Sequence, residues 1–338
     1  MNEPRISFIV PVRNDAVRLD ACLRSIRQNL GLSRRDEILV VNNGSTDGSG
    51  DVALRHGARV LDVPERVKVS ELRNRAVEVA NGRIFAFVDA DNEIWSGWSV
   101  AALESLQLPS AGAAGAHYLA PIDGTWVQRA YGVLRGRAKG VHQVGWLGSG
   151  NLAVWRHAFE AVGGFDVSLE TCEDVDFCRR LATKGFRVVS DARIKSVHHG
   201  DPETLGALLQ GERWRGRDNL RVALRRPIDW GSLPSALVPV MDVVMMIAAV
   251  VGLAMMAAAP LAGLALALTA LLLIGLGAWL KVLRVVTRDG AVRGLTVPSV
   301  WVVACVYDVG RALALVIPAR HRGADAAAPR LTQSAATP

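Results

Sequence analysis

The chain is poor in cysteine: Cys22, Cys172, Cys178 and Cys305 are the only four in 338 residues, and no two have the CxxC spacing of a metal site. This argues against a disulfide scaffold and a cysteine-bound zinc, and we expect reduced cysteines. The first residues also lack the apolar run and cleavage site of a signal peptide, so the N-terminal part is expected to stay in the cytosol.

Charged residues almost disappear after residue 236. Between 237 and 280 Asp242 is the only one, and the stretches 237–258 and 261–280 are each long enough to cross a hydrocarbon core, which takes ~20 residues. Residues 297–317 have a similar length but contain Asp308 and Arg311. They predict either a third span, in which these two charges pair at i, i+3, or an interfacial helix.

The formal net charge is +7, which by itself would be compatible with binding nucleic acid. Six arginines, however, lie beside the apolar stretches, where a lipid headgroup surface is the better match, and we expect no nucleic acid partner. They are Arg213, Arg215, Arg217, Arg221, Arg225 and Arg226. The segment after residue 280 is also basic, as is typical of the cytosolic side. The sequence therefore predicts a multi-pass protein of the inner (cytoplasmic) membrane with a cytosolic N-terminal domain.

Short apolar runs and amphipathic segments alternate from residue 6 to about residue 200. Strands are predicted at 6–10, 37–41, 58–61 and 83–88, with helices between them. This alternation predicts an α/β fold with a mostly parallel sheet covered by helices on both faces. We divide the chain into this domain (1–200), an amphipathic interfacial region (201–234), a transmembrane region (235–320) and a disordered tail (321–338).

Three polar clusters follow predicted strands: residues 13–15, residues 42–45, and Asp89 with Asp91. Because ligands of parallel sheets bind beyond the carboxyl ends of the strands, these clusters mark a candidate site. Two carboxylates one residue apart can hold a divalent cation and, through it, a diphosphate. The alternative is an ordinary solvated turn rich in aspartate.

Two further groups could contribute chemistry. Glu173 and Asp174 begin a predicted helix, where either could accept a proton from a sugar hydroxyl, or Asp174 could simply form a capping box with Thr171. His198 ends a strand-like segment with His199. It could complete a metal site with Asp91, although a strand-end histidine is commonly a surface residue.

Gln210, Arg213 and Trp214 share one face of a predicted helix over residues 202–224. Leucines and arginines alternate along this helix, which predicts that it lies in the headgroup layer with tryptophan near the interface.

Together the segments FIVPVRND, VVNNGSTDGS, ELRNRAVEVANGRIFAFVDADN and GGFDVSLETCEDVDFCRRL resemble family-2 glycosyltransferases of the GT-A fold, in the family's order. The resemblance covers about residues 6–214. Its last piece, Gln210 to Trp214, is similar to the QxxRW motif of membrane-embedded polysaccharide synthases. Two departures are the Asn42-Asn43 pair, where the family usually has an aspartate, and the absence of spans before residue 200.

The resemblance implies a role for each matching residue, and the nucleotide-sugar pocket would be formed by six of them: Pro11, Arg13, Asn14, Asn43, Arg73 and Asp89. Asp91 and His198 would bind a divalent cation, Mg²⁺ or Mn²⁺. Asp174 would be the catalytic base and Glu173 would orient the acceptor, while Gln210, Arg213 and Trp214 would contact it.

The implied activity is an inverting, metal-dependent transfer of a sugar from a nucleotide donor to a hydroxyl of a lipid-linked or polysaccharide acceptor. One alternative is a polyprenyl-phosphate sugar synthase, whose acceptor is already ionised and needs no base. Another is a non-catalytic membrane scaffold or sugar sensor on a transferase fold. Asp174→Asn would discriminate the first from the main interpretation, and donor consumption the second.

Overall fold

The computed structural model describes residues 6–30, 36–136, 139–226, 228, 230–231, 233–289 and 295–317, without the side chains of residues 288 and 289. The predicted tail, 321–338, and part of the basic segment after residue 280 lie outside the described residues.

The described residues form an eight-stranded mixed sheet in the order β3-β2-β1-β4-β8-β6-β9-β7, and a two-stranded ribbon of β5 and β10. The pairs β1–β2, β2–β3, β1–β4 and β6–β9 are parallel, whereas β8 is antiparallel to both of its neighbours. The predicted α/β sheet is thus confirmed, with β8 inserted antiparallel and β7 antiparallel at the edge. The strands are β1 (Ile6–Val12), β2 (Glu37–Asn42), β3 (Arg59–Asp62), β4 (Ile84–Val88), β5 (Asn92–Ile94), β6 (Ala111–Gly115), β7 (Val141–Val144), β8 (Asn151–Trp155), β9 (Arg187–Asp191) and β10 (Ser196–His198).

The helices cover both faces of this sheet and then continue into an apolar C-terminal part. Those of the sheet domain are α1 (Ala16–Arg27), α2 (Ser49–Arg55), α3 (Val69–Val79), α4 (Trp98–Leu106), α5 (Trp126–Arg135), α6 (Arg156–Ala161) and α7 (Glu173–Thr183). Those that follow are α8 (Leu205–Arg215), α9 (Asn219–Ala223), α10 (Leu233–Met255), α11 (Pro260–Asp289) and α12 (Val297–Val316).

Side-chain alternation along the strands builds a core on each face of the sheet. In β1, Phe8 and Val10 belong to the core beneath α1 and α4, whereas Ile9 belongs to the opposite core beneath α3 and α7. All three side chains are fully buried. Because successive strand residues point to opposite faces, an all-apolar strand such as β1 requires helices on both sides.

The parallel strands β1, β2 and β4 end at the same edge of the sheet, which brings the three predicted polar clusters together. Since β8 runs the other way, its amino-terminal end lies at this edge too, and the backbone N–H of Asp89 donates to the carbonyl of Gly150 at 3.2 Å. The insertion of β8 therefore adds Ser149 and Gly150 to the candidate site.

Three helices are long and apolar enough to cross a membrane: Leu233–Met255, Pro260–Thr287 and Val297–Val316. The first begins four residues before the predicted span, and α11 extends past Leu280. Helices α10 and α11 form a hairpin that packs closely at Gly252 and Gly263. A Cβ added at Gly252 would lie 2.7 Å from the carbonyl oxygen of Gly263, so larger residues would push the two helices apart.

The predicted single helix over residues 202–224 is wrong in detail. The chain forms α8 and the short α9, separated at Gly216. Helix α8 packs against protein on one side, because Leu208 and Glu212 are fully buried against α5 and α12.

Candidate active site

A cleft of about 2010 Å³ runs from the strand ends of the sheet to the apolar helices. At one end, which we call the donor end, it is lined by Pro11, Arg13, Asn43, Asp89 and Asp91. At the other, the membrane end, it is lined by residues of α8, α10, α11 and α12. Asp174 and Trp214 also line it. Every predicted site residue except Asn14 borders this cleft.

Arg73 is the centre of the donor end. Its guanidinium, 2% exposed, donates from Nη2 to Asp89 Oδ1 at 2.6 Å and from Nη1 to Glu173 Oε1 at 2.9 Å. Glu173 Oε1 also accepts from the Ser149 hydroxyl at 3.2 Å. A buried guanidinium holding two carboxylates fixes α3, the end of β4 and the start of α7 relative to each other. Arg73 thus positions Asp89 and Glu173, while its Nε is buried without a partner among the described residues and its contact with the donor stays a prediction.

Asp89 fits against Gly150 so closely that no side chain could be added there. A Cβ on Gly150 would lie 2.0 Å from Asp89 Oδ2. The N–H of Gly150 donates to the Tyr118 hydroxyl at 3.0 Å, and Asn92 Nδ2 donates to the Gly150 carbonyl at 2.8 Å. Burial raises the pKa of Tyr118 well above its ordinary value, so this hydroxyl stays protonated.

Asp91 and His198 face each other across the ribbon of β5 and β10. Asp91 Oδ2 lies 3.4 Å from His198 Nε2, and His198 Nδ1 lies 2.7 Å from Asp201 Oδ1. Arg135 forms an ion pair with Asp201 through Nη1 and Nη2 of its guanidinium. The Asp201 contact orients the imidazole so that its other nitrogen faces Asp91, an arrangement often seen around metal-binding histidines. The absence of a side chain at Gly200 leaves room for the Asp91 carboxylate, since a Cβ there would lie 1.9 Å from Asp91 Oδ2.

Glu173 and Asp174 open α7, and the capping box that was the alternative role of Asp174 does not form. Thr171 exchanges hydrogen bonds with Asp218: the N–H of Thr171 donates to Oδ2 at 3.2 Å, and the N–H of Asp218 donates to the Thr171 hydroxyl at 3.2 Å. Cys172, before the helix, has a φ of 62°. Asp174 is therefore free of the capping role and borders the cleft. Burial, with a further contribution from the Glu173 charge, raises the pKa of Asp174 to about 7.

The predicted nucleoside residues divide into two groups. Pro11, Arg13 and Asn43 line the cleft, although the Asn43 amide also donates to the carbonyls of Val63 and Glu65 at 3.0 and 2.7 Å. Asn14 is not among the lining residues; its side-chain carbonyl accepts from the N–H of Thr46 at 2.8 Å. Asn14 therefore holds the loop after β2, and its contact with a nucleotide stays a prediction.

Gln210, Arg213 and Trp214 all border the cleft from α8, with Trp214 37% exposed. Among the described residues, Arg213 Nε is buried without a hydrogen-bond partner. A buried guanidinium nitrogen without an acceptor is costly unless a ligand supplies one, so Arg213 is a candidate for contact with an anionic group. Arg13 and Arg73, whose Nε atoms are in the same state, are further candidates in the cleft.

The predicted pairing of Asp308 with Arg311 is wrong. Asp308 forms an ion pair with Lys281 of α11, and Arg311 Nε donates to Glu212 Oε2 of α8 at 2.6 Å. Both partners are distant in sequence, so the i, i+3 spacing could not reveal them.

Sequence reasoning did not identify Tyr118, Ser149, Gly150, Asp201 or Glu212. Their contacts depend on strand insertion and on packing between distant elements. A weak signal did exist for Asp201, since a carboxylate three residues after a candidate metal-binding histidine can hydrogen bond to its ring.

Comparison with known proteins gives a consistent family. The Glycosyl transferase family 2 profile matches residues 7–158, and that of Glycosyl transferase family group 2 matches residues 94–282, more than half of the chain. Glycosyltransferase AglE of Haloferax volcanii is 25% identical over 237 residues, which cover 66% of this chain and 77% of AglE. Succinoglycan biosynthesis protein ExoA of Rhizobium meliloti is 24% identical over 208 residues, which cover 57% of this chain and 62% of ExoA.

One solved structure matches over nearly the whole chain. It is the mannosyltransferase PcManGT of Pyrobaculum calidifontis, in complex with GDP-Man and Mn²⁺, with a TM-score of 0.57 and 17% identity, covering 91% of this chain and 87% of that one. This likeness confirms the expected GT-A-type fold.

Proposed function

Since this chain belongs to glycosyltransferase family 2, we propose that it transfers a sugar, with inversion, from a nucleotide diphosphate donor to a hydroxyl of a lipid-linked or polysaccharide acceptor. The observation that carries this proposal is the single cleft in which Asp174, a carboxyl group of raised pKa, borders the same space as Asp89, Asp91 and Arg213. Asp89 and Glu173 are held by Arg73, and Asp91 faces His198, which leaves Asp174 as the general base and suits a single displacement.

The donor would bind at the edge of the sheet. Pro11, Arg13 and Asn43 would contact the nucleoside, and Asp89, held by Arg73, the ribose. Arg213 would contact the diphosphate, because its buried Nε lacks an acceptor. PcManGT, which shares the fold, was solved with GDP-Man.

The side chains of Asp91 and His198 are suitable ligands for Mg²⁺ or Mn²⁺. His198 is oriented by Asp201 so that Nε2 faces Asp91, although no group of three His, Cys, Asp or Glu side chains among the described residues could hold an ion alone. Diphosphate oxygens would complete the coordination. A bound cation would supply neutralisation of the negative charge that develops on the leaving diphosphate. PcManGT was solved with Mn²⁺.

The reaction would then be one displacement. Asp174 accepts the proton of the acceptor hydroxyl, whose oxygen forms the new bond to the anomeric carbon. The bond from that carbon to the phosphate oxygen breaks, and its electron pair leaves with the nucleoside diphosphate. Arg213 stabilises the leaving group by its positive charge. Glu173, fixed by Arg73 and Ser149, orients the acceptor beside the base.

The acceptor would approach from the membrane. The cleft reaches α10 and α11, two helices long enough to cross a bilayer, so its open end would meet lipid headgroups. ExoA is named for succinoglycan biosynthesis, which agrees with a surface-glycan acceptor. Nucleotide sugars are cytosolic, so we place the protein in the inner membrane with its catalytic domain facing the cytosol.

The proposal is tested by incubating the full-length protein in detergent or lipid with a panel of nucleotide sugars and measuring nucleotide diphosphate release. Release with at least one donor, loss of release in excess chelator and recovery with Mg²⁺ or Mn²⁺ are expected. A scaffold or sensor would consume no donor. Full turnover in excess chelator would instead overturn the metal role of Asp91 and His198.

A further inference from the structure

Helix α12 is apolar enough to cross a membrane, yet its first half packs against the catalytic domain. Val300, Val303 and Ala304 are fully buried in a core that also contains Val127 and Ala130 of α5. Helix α5 belongs to the sheet domain. The same core contains Ala278 and Val282 of α11, so the N-terminal half of α12 contacts both the sheet domain and the end of the apolar hairpin.

The second half of α12 packs against α8. A Cβ added at Gly310 would lie 2.8 Å from the Cβ of Glu212, and one added at Gly216 would lie 2.6 Å from the Cβ of Ala314. The two helices thus approach each other closely at small residues, as in a packed interior.

A buried ionic cluster joins the same two helices. Glu212, fully buried, accepts from Arg311 Nε at 2.6 Å, from the Tyr131 hydroxyl at 2.7 Å and from Arg215 Nη1 at 3.1 Å. Burial alone would raise the pKa of Glu212, but the charges of Arg311 and Arg215 lower it below its ordinary value, so the carboxylate is ionised. An ionised, fully paired Glu212 fixes α12 against the middle of the Gln210–Trp214 segment.

The length of this contact is incompatible with a span. Residues 300–314 rise about 21 Å along the helix axis, and this stretch packs against α5 and α8. If α12 crossed the bilayer, the ion pairs of Arg135 with Asp201 and of Arg215 with Glu212 would lie at hydrocarbon depth. Charged side chains are strongly disfavoured at that depth.

The hairpin of α10 and α11 indicates where the bilayer surface lies. Lys281, which pairs with Asp308, is about 32 Å along α11 from Pro260, close to one hydrocarbon thickness. Trp301 Nε1 donates to the carbonyl of Gly275 at 2.8 Å, slightly deeper, where tryptophan is favoured. Helix α12 therefore meets α11 near the end of the hydrocarbon core that is closer to the catalytic domain.

We propose that α12 does not cross the membrane but lies along its surface on the side of the catalytic domain, where it forms the floor of the cleft and positions the Gln210–Trp214 segment through Arg311 and Glu212. The protein then has two spans, and Ile317 is on the same side as the sheet domain. The topology does not depend on the reaction. The positioning role rests on the proposed function.

The topology is tested with single cysteines at Leu54 of α2, Ala257 in the α10–α11 turn and Ile317, all exposed, in an otherwise cysteine-free full-length chain. Cells are treated with a membrane-impermeant thiol reagent before or after permeabilisation. We expect L54C and I317C to behave alike and A257C to behave oppositely, whichever way the protein is inserted. I317C behaving like A257C, or all three behaving alike, would overturn the proposal.

The positioning role is tested with Arg311→Met, Glu212→Gln and the double variant. Arg311→Met leaves the Glu212 carboxylate buried without its closest guanidinium, and should lower kcat/KM for the acceptor by about 10-fold or more. Because Arg213 of the same segment contacts the diphosphate, the donor KM should also rise, but by a smaller factor. The double variant should recover part of the loss. A fall in Tm with unchanged acceptor kinetics, or equal effects on both substrates, would overturn the positioning role. Such failure would leave the measured topology and the donor turnover intact.

Discussion

The two ends of the cleft are organised around buried charges of opposite sign. At the donor end Arg73, a buried cation, holds Asp89 and Glu173. At the membrane end Glu212, a buried anion, holds Arg311, Arg215 and the Tyr131 hydroxyl. Glu212 is held by three protein partners, and Arg73 by two carboxylates, with its Nε alone left without a partner among the described residues. Each fixes the side chains beside it. Removing one partner of a buried ion pair lowers the free energy of unfolding by roughly 3–5 kcal/mol, so these contacts hold firmly.

The two ends differ in the kind of structure that brings their residues together. The donor end is assembled by parallel strands that end together, so its residues lie at predictable places. The membrane end is assembled by helix packing, and its main ion pair joins residues 99 positions apart. Sheet topology thus positions the donor, whereas contacts between separate helices position the acceptor end. The variants below should affect one end and spare the other.

The largest effect on sugar transfer is expected at Asp174, the proposed base, which borders the cleft. Asp174→Asn should lower transfer at least ~10²-fold and leave donor affinity unchanged, because it removes the proton acceptor alone. Donor binding is measured by calorimetry and turnover by nucleotide diphosphate release. Glu160→Gln, at an exposed position on α6, is the control and should behave as wild type. Normal turnover of D174N would favour an acceptor that is already ionised, as in a polyprenyl-phosphate sugar synthase.

A smaller loss, confined to the donor end, is expected for Gly150→Ala. The new methyl would lie 2.0 Å from Asp89 Oδ2 and so displace that carboxylate from Arg73. We expect kcat/KM for the donor to fall roughly 10- to 10²-fold, with little change in acceptor KM. Gly206→Ala is the matched control, since no atom lies within 4 Å of its added Cβ. Equal losses for both variants would mean that the Asp89 packing is unimportant.

The sequence was sufficient to predict the polar residues at the strand ends, but not those that the inserted strand β8 brings to the same edge. Asp89 and Asp91 follow an apolar strand, and such a pattern is visible without a structure. Ser149 and Gly150 reach the same edge because β8 runs antiparallel beside β4, and nothing local to residues 149–150 indicates that pairing. Asp174 borders the cleft, as the sequence predicted, and its catalytic role stays a prediction. The alternative cap with Thr171 does not form, because Thr171 is bonded to Asp218 from a distant element.

The membrane end was the harder part for a physical reason. Hydropathy measures the tendency of a segment to leave water, and a helix buried against protein satisfies it as well as one in lipid. Helix α12 therefore has the composition of a span, and only its contacts with α5 and α8 separate the two interpretations. Likewise Asp308 and Arg311 have the right spacing to pair, but each has a partner on another helix.

The pH dependence should report on Asp174. Because burial and Glu173 raise its pKa to about 7, the carboxylate is increasingly protonated below that pH and can no longer accept a proton. We expect kcat to be steady at higher pH and to fall by up to ~10-fold per unit as the pH drops from 7 to 5.5.

Glu173→Gln sharpens this measurement. Removal of the neighbouring negative charge lowers the pKa of Asp174, so the acid limb should move to lower pH. A limb that does not move, or a kcat that is flat from pH 5.5 to 8.5, would show that Asp174 is not the group observed.

The smallest effect is expected at the membrane end, from Trp214→Ala. Trp214 borders the cleft and is 37% exposed, so its ring is available to stack on an acceptor sugar. Such aromatic contacts contribute ~0.5–1.5 kcal/mol, which predicts a rise in acceptor KM of roughly 3- to 10-fold. Donor KM should not change, and the protein should stay in the membrane fraction because α10 and α11 anchor it.

The matched control is Trp230→Ala, at a tryptophan that is 77% exposed and does not border the cleft. It should alter neither KM, since it removes an aromatic ring of the same kind from a position outside the cleft. If Trp214→Ala leaves acceptor kinetics at the wild-type level, its ring contributes only to packing or to the membrane interface. Arg213 would then be the side chain of the Gln210–Trp214 segment that acts on a substrate, and the Glu212 cluster would serve to position the donor's diphosphate. The division of the cleft into two independently positioned ends would be wrong.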